Sequence, residues 1–426
     1  MTGVVRINCI ASKMDRRSPS QRTAWVVVVL VLIYVCTTVV VRRTLLADRE
    51  AAVWDFFQLW YSARVLFLEH RDPYDQQVAM EMQYALYGRA AEVSESQAAF
   101  YYPLPLLLLV APLSVLPYSW AAAAWLTLLL ATVAVAVLVA ARDVGLRLSP
   151  PWAAALVVAV LAWFPVAWSI ALGQVAAVLM LPLVIGLGGL LRGRYRLTGV
   201  CLALAALKPQ LVYALLPAVC LWAAVNGRWD LLSFTVLSGL ILTLAAGIFV
   251  PAWPIRFLDA VTRYAGVSPF APPLQILLRD RLGLTIDWPW IAVSAFLGLG
   301  CLWLWRSAGA DLARISYAVA MTLVVSTLSL PHIGMINQLV LLWPLMFALK
   351  EVSSTIQRGS VVALGFALAV VVFPWVVAAT LDVSPSVPRY VVEHQAMSMY
   401  MPLLVGGVLV WQFVATSRRR PLKRWL

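Results

Sequence analysis

SWAAAAWLTLLLATVAVAVLVAA, Ser119 to Ala141, decides the fold class of this chain. It holds no charged residue, and Arg142 and Asp143 end it. A helix rising 1.5 Å per residue needs about 20 apolar residues to cross a hydrocarbon core of roughly 30 Å. This stretch is therefore long enough to span a bilayer alone. Leu231 to Val250 and Ser360 to Thr380 have the same character, and 63% of the 426 residues are hydrophobic against 12% charged. Soluble domains stand nearer half apolar and one quarter charged. Lipid is the solvent for most of the chain, and there the backbone must satisfy its own hydrogen bonds, which predicts helices throughout.

Working outward from Ser119, apolar length and breakers predict spans near 24–41, 119–141, 150–171, 174–191, 231–251, 289–306, 312–330, 333–349, 360–380 and 396–416. The first follows Arg16, Arg17 and Arg22, is long for a signal-peptide core and lacks a small-residue cleavage pattern, so it reads as a retained helix. Leu197 to Val225 is too long for one upright helix and too short for two. Lys208-Pro209 interrupts it, which predicts a hairpin of two short helices over 197–225. Tyr101 to Pro117 is short and carries Pro103, Pro105, Pro112 and Pro117, which predicts a re-entrant or interfacial segment. The expected architecture is an all-α polytopic membrane protein with about 11 to 12 transmembrane or half-membrane helices. It forms one membrane domain over 1–426, with long extracytoplasmic loops within 42–118 and 252–288.

Charge assigns the sides. With the N-terminus in the cytoplasm, the short inner connections and both tails hold 20 of the 32 Lys and Arg but five of the 19 acids. The outer regions are much longer and hold the other 12 bases with 14 acids. Basic density on short loops sets orientation, so both termini are expected in the cytoplasm of a multi-pass cell-membrane protein, with the polar outer loops as the functional side. The formal charge of +13 is spread over these clusters rather than gathered in one stripe, which argues against nucleic acid as a partner. Of the five cysteines all but Cys9 lie inside apolar runs, so no disulfide framework is visible. No nucleotide-phosphate loop or metal-binding spacing stands at an exposed position, and nothing in the sequence calls for a cofactor or metal.

Several polar residues stand out against this background. Asp55 lies among Trp54, Phe56 and Phe57 just after the first span. A partly desolvated carboxylate has its pKa raised towards a general base's range, and the rings, Trp54 first, offer faces of the kind sugars stack on. An interfacial aromatic belt with a solvated Asp is the plainer alternative. Glu69-His70-Arg71-Asp72-Pro73 reads as a helix stop. Phe100-Tyr101-Tyr102-Pro103 brings the chain back to the membrane, and its rings, Tyr102 among them, most simply anchor it at the interface. Gly173-Gln174 is a tight outer turn in which Gln174 can hydrogen-bond a sugar, although a plain turn is equally consistent. Lys208 is a lone cation at a hairpin tip in the outer half of the membrane, placed either to pair with a lipid phosphate or to snorkel to water. His332, in the turn Pro331-His332-Ile333-Gly334, is one of three histidines.

Taken in order, Asp55, Arg71-Asp72-Pro73-Tyr74-Asp75, Phe100-Tyr101-Tyr102-Pro103, Leu172-Gly173-Gln174-Val175, Ala206-Leu207-Lys208-Pro209 and Asn226-Gly227-Arg228-Trp229 resemble the GT-C glycosyltransferases. The likeness is to glycosyltransferase family 87, the polyprenyl-phosphate-mannose-dependent α-mannosyltransferase type, and is carried by residues 50 to 250. The resemblance implies transfer of a hexose, mannose by the family, from a polyprenyl-phosphate donor to an extracytoplasmic glycan or glycolipid acceptor of the cell envelope. It implies Asp55 as the base, here of an inverting reaction, and Lys208 near the donor phosphate; Arg263 and Arg279 of the second loop are weaker candidates for charge on that phosphate. Trp54, Tyr102, Gln174 and His332 are the candidate sugar-binding residues. Two departures stand out: Leu104 separates the usually paired prolines, and His332 is single, followed by Asn337 and Gln338. Two other classes fit the hydropathy. A transporter or flippase would show inverted repeats and more polar residues at the midplane. A ligase or polymerase of lipid-linked glycans would lean on later arginines such as Arg256, Arg263, Arg279 and Arg281.

Overall fold

The computed structural model describes residues 19–45, 53–92, 95, 97–267, 271–284, 286, 288–329, 335–355, 359–380 and 389–419. Among them the chain forms helices and turns and no strand, as an all-α membrane protein requires. Pro19–Leu45 (α1) is followed by two short helices, Trp54–Phe67 (α2) and Gln76–Tyr87 (α3), then by Leu106–Ser114 (α4) and the long apolar Tyr118–Asp143 (α5). Pro150–Ala162 (α6) and Phe164–Ala171 (α7) are one run bent by 66°. The bend has a local cause, since Pro165 lacks the N–H that a continuous helix would use and its ring would strike the carbonyl of Leu161. Ala176–Leu191 (α8), Tyr195–Ala205 (α9), Leu215–Val225 (α10) and Trp229–Gly247 (α11) form the middle of the bundle, and Trp253–Val267 (α12) is amphipathic. Pro273–Ile276 (α13) runs into a π-helical turn, Leu277–Arg281. Trp288–Ala308 (α14), Leu312–Ser329 (α15), the 3-10 turn Met335–Leu341 with Leu342–Thr355 (α16), Gly359–Thr380 (α17) and Arg389–Arg419 (α18) complete the described chain.

Among the described residues six helices are long and apolar enough to cross a membrane: α5, α11, α14, α15, Met335–Ser354 and Ser398–Ala415. The bent α6–α7 run makes a seventh, and α8, α9, α10 and Gly365–Val377 are apolar but shorter. α11 and α14 bury little of their surface in protein, whereas α15 and the run into α16 are largely enclosed. Val236, Ile241 and Leu244 of α11 and Phe296 and Leu299 of α14 stay exposed, as lipid-facing positions do.

Between α9 and α10 the helix is interrupted over residues 206–214, which hold Lys208 and the 3-10 turn Pro209–Leu211. The two arms return to one end of the bundle. Tyr195, opening α9, lies 6.3 Å from Trp222 near the end of α10, and the Arg228 guanidinium stands 5.1 Å above the Tyr195 ring. The short basic connections gather at that same end. Arg192 pairs with Asp143, Arg196 with Asp230 at 3.2 Å, and Trp222 Nε1 donates to the Gly309 carbonyl at 3.1 Å. A polar hollow of about 570 Å³ there is lined by Asp143, Arg192, Arg314, Lys350 and Glu351 among others.

Close helix contact in the middle of the bundle depends on small residues, as it does wherever lipid supplies no hydrophobic drive between helices. Gly199 of α9 faces the α11 backbone, and a Cβ there would stand 2.6 Å from the Leu231 carbonyl oxygen and 2.8 Å from the Thr235 nitrogen. Backbone cannot yield as a side chain can, so Gly199→Ala is expected to cost about 1 to 3 kcal/mol by overpacking. Thermal unfolding of the purified protein should show a lower Tm for this variant. Gly298→Ala on α14, where a Cβ meets open space, should leave Tm unchanged or slightly higher. Equal losses at both positions would mean that helix contact at Gly199 is not what matters.

Candidate active site

At the end of α7 the chain turns sharply through Leu172, Gly173 and Gln174. The Gly173 amide donates to the Ile170 carbonyl at 3.0 Å and the Gln174 amide to the Ser169 carbonyl at 2.8 Å. Gly173 has φ +72°, a left-handed conformation that favours glycine. The start of α2 packs directly onto it, so that a Cβ on Gly173 would lie 2.7 Å from the Phe56 Cβ and overlap the Val53 side chain. Three further bonds hold this junction. The Asp55 amide donates to the Leu172 carbonyl at 3.1 Å, Trp125 Nε1 of α5 donates to the Gly173 carbonyl at 2.8 Å, and the Tyr118 hydroxyl donates to the Val53 carbonyl at 3.1 Å. Phe56 stacks on Trp125 with centroids 5.0 Å apart and planes 15° from parallel.

This clamp brings together three polar side chains that are far apart in sequence. Gln174 donates from Nε2 to Asp55 Oδ2, and Lys208 donates from Nζ to Gln174 Oε1 at 2.6 Å. Gln174 and Lys208 are buried, 4% and 3% exposed, while Asp55 keeps some accessible surface. Asp55 thus lies deep in protein yet opens to a solvent-reachable space. Burial pushes its carboxyl above the ordinary carboxylate range, against the Gln174 hydrogen bond and the Lys208 charge, which both pull it down. Among the described residues nothing bonds Asp55 Oδ1. The Tyr102 ring lies 5.8 Å from Lys208 Nζ, and its position is set by the Tyr74 hydroxyl, which donates to the Tyr102 carbonyl at 2.6 Å.

The other candidates lie around this chain of groups. Trp54, half-buried, packs against Tyr87 at the end of α3, centroids 5.6 Å apart. Arg263, exposed on α12, donates to the Tyr74 carbonyl at 3.5 Å, and Arg256 of the same helix pairs with Asp72 at 3.4 Å. These contacts fasten α12 over the Asp72-Pro73-Tyr74 turn, in which Asp72 Oδ1 accepts the Tyr74 amide at 2.9 Å. Arg279 is exposed on the π-helical turn that follows α13, a helix packed on α14, α15 and α18. His332 falls outside the described residues. The 3-10 turn Met335–Leu341 that comes after it packs against Pro209–Leu211, and the Ile336 carbonyl accepts a bond from Ser169 Oγ at 2.9 Å.

Beside Tyr102 and Lys208 an open apolar groove of about 350 Å³ runs between α9, α11 and α12, lined by Pro103, Pro105, Leu207, Leu242, Trp253 and Phe257 among others. Two of its lining residues, Pro103 and Leu207, are the chain neighbours of Tyr102 and Lys208. Among the described residues no three His, Cys, Asp or Glu side chains gather at one place. Trp125 and Tyr118 were not singled out in the sequence. The one signal for Trp125 was an indole inside an otherwise aliphatic span, where a buried N–H needs an acceptor.

A polytopic helical membrane protein with a carboxylate, an amide and an ammonium linked at one end, next to an apolar groove, has the parts of an enzyme acting at the membrane surface. A family model described as Glycosyltransferase family 87 matches residues 100–331. That stretch is more than half of the chain, and the chain belongs to this family: it is an integral membrane glycosyltransferase. The match holds Tyr102, Gln174, Lys208, Arg263 and Arg279, while Asp55 precedes it and reaches it through Gln174 and Leu172. No curated protein and no solved structure matches the chain.

Gly173→Ala tests the clamp. A non-glycine residue in the left-handed region costs about 1 to 2 kcal/mol, and the overlap with Val53 and Phe56 adds to it. The variant should unfold at lower temperature than wild type, and the loss should shrink when Val53→Ala is combined with it. Full additivity of the two changes would place the strain elsewhere.

Proposed function

We propose that this glycosyltransferase takes a hexose, mannose by its family resemblance, from a polyprenyl-phosphate donor and transfers it to an extracytoplasmic glycan or glycolipid acceptor with inversion at the anomeric carbon. The observation that carries the reading is Asp55, held through Oδ2 by Gln174 while Oδ1 is left to accept a proton. The acceptor hydroxyl gives its proton to Asp55 and its oxygen attacks the anomeric carbon. The bond from that carbon to the phosphate oxygen breaks, and polyprenyl phosphate leaves with the electron pair. Phosphate is already a good leaving group, so alignment and positive charge are the protein's main contribution. Lys208 gives one N–H to Gln174 and has two more to offer a phosphate oxygen.

The apolar groove supports a lipid-borne donor, because it is lined by aliphatic, proline and aromatic side chains that include Leu207 and Pro103, the chain neighbours of Lys208 and Tyr102. Trp54, Tyr102, Gln174 and His332 are the proposed sugar contacts, with Arg263 and Arg279 as further phosphate ligands. A GT-C architecture in the cell membrane is the matching reading of the fold. The end that carries Asp143, Arg192, Arg314 and Lys350 is cytoplasmic by the positive-inside rule, both termini lie there, and Asp55 faces outside.

Turnover is to be measured in membranes given radiolabelled polyprenyl-phosphate mannose. Asp55→Asn keeps size and hydrogen bonding but cannot take a proton, so it should lose about 10² to 10⁴ of turnover per folded molecule while donor still binds. The raised carboxyl also sets a pH dependence. The base works only when deprotonated, so wild-type turnover should fall as pH drops through a value above the ordinary carboxylate range. More than about a tenth of normal turnover left in Asp55→Asn is less loss than a base supplies, and it would remove Asp55 from this role.

Sidedness has its own test. In a protein with its native cysteines replaced, a cysteine at Gln76, exposed at the start of α3, should react with an impermeant thiol reagent in sealed cells. One at Ser353, exposed at the basic end, should react only after permeabilisation. The opposite pattern would invert the topology.

A further inference from the structure

We propose that Gln174 is a positioning residue that keeps Asp55 and Lys208 apart, so that the two opposite charges meet through an amide and never collapse into a direct ion pair. Its consequence for transfer rests on the reading of Asp55 as the base, but the arrangement itself stands on geometry. Gln174 is buried at 4% exposure, and its backbone is fixed by the bond from its amide to the Ser169 carbonyl at 2.8 Å. Its side chain has one workable orientation. Lysine only donates and an ionised carboxylate only accepts, so Oε1 must face Lys208 and Nε2 must face Asp55, as they do.

The neighbours leave Lys208 few other places to go. Its stem is buried at 3% exposure, the Tyr102 ring lies 5.8 Å from Nζ, and Leu207 and Pro209 flank it in the chain. The charged and titratable groups that face Asp55 are Lys208 and Tyr102, with Tyr264 of α12 behind Tyr102. Remove the amide and the ionised acceptor whose charge acts on the ammonium is the carboxylate itself. A direct pair would lower the carboxylate's basicity and use up the charge that a departing phosphate needs. Interposing a neutral dipole preserves both properties. Asp55 stays proton-seeking on its open oxygen, and Lys208 stays cationic towards a ligand.

Proton affinity of Asp55 measures this directly. Infrared titration of the full-length protein in lipid bilayers reads the protonated-carboxyl band, assigned to Asp55 by its disappearance in Asp55→Asn. Gln174→Met keeps the length of the side chain and removes the amide. With Lys208 present, the ammonium should close on the carboxylate, and the Asp55 midpoint should fall by about one pH unit or more, a tenfold or greater loss of proton affinity. With Lys208→Met in the same chain, Gln174→Met can only delete a hydrogen bond to the charged form, so the midpoint should rise. This reversal of sign between the two backgrounds is the signature, and Gln174→Ala in the same pair of backgrounds gives the same readout if the Met variant does not fold. A midpoint that rises in both backgrounds, or stays put in both, overturns the proposal. Because the titration needs no substrate, it can fail while Asp55→Asn still abolishes transfer, and it can succeed where Asp55→Asn does not.

Discussion

The hydrogen bond from the Asp55 amide to the Leu172 carbonyl, at 3.1 Å, joins the first turn of α2 to the end of the bent α6–α7 run. The linked side chains of Asp55, Gln174 and Lys208 are placed relative to it. Gly173 allows the approach by having no Cβ, Trp125 holds the turn from α5, and Phe56 and Tyr118 close the far side. With the α2 backbone fixed there, the Asp55 side chain reaches Gln174, and Gln174 reaches Lys208. A loop tethered only by its chain ends would leave the carboxylate free to solvate. Here it is carried on a helix whose first turn is bonded to a membrane-embedded element.

The two ends of the bundle use charge in different ways. At the basic end, ion pairs such as Arg196 with Asp230 are exposed on both sides, and exposed pairs contribute roughly 0 to 1 kcal/mol. Their value is in orientation, since a bilayer reads the density of Lys and Arg on short connections. At the other end, beneath exposed pairs such as Arg89 with Glu95, two charges are drawn into the protein. Lys208 is buried and Asp55 only partly exposed, so water screens them weakly and a change in geometry is felt as a change in proton affinity or ligand attraction.

α12 ties the second half of the chain to the turn between α2 and α3. Arg256 on Asp72 and Arg263 on the Tyr74 carbonyl hold its polar side, while Trp253 and Phe257 line the groove below. Of the arginines that a lipid-linked glycan ligase would be expected to offer its substrate, Arg256 is in this chain engaged with Asp72, fastening α12 to the turn before α3. The same helix therefore roofs the groove and steadies the turn that positions Tyr102 through Tyr74.

Fold class was legible in the sequence because apolar length and the demand for internal backbone hydrogen bonds are local properties, and residues 119–141 alone satisfy both. The bend at Trp163 and the break at Lys208-Pro209 are local too, being the work of prolines. Asp55, Gln174 and Lys208 could each be picked out as polar residues out of keeping with their neighbours. Their joint use could not, since Asp55 and Gln174 are 119 residues apart and Gln174 and Lys208 are 34 apart, and no periodicity spans such separations. Trp125 showed the limit most plainly, for a tryptophan in a membrane span reads as one more apolar residue until the partner of its N–H is known. The sequence by itself determined a helical membrane protein and its candidate polar residues, because burial in lipid selects composition residue by residue. Only the tertiary structure decided that Gln174 stands between Asp55 and Lys208, because that arrangement depends on where α2, the Gly173 turn and the α9–α10 break meet in space.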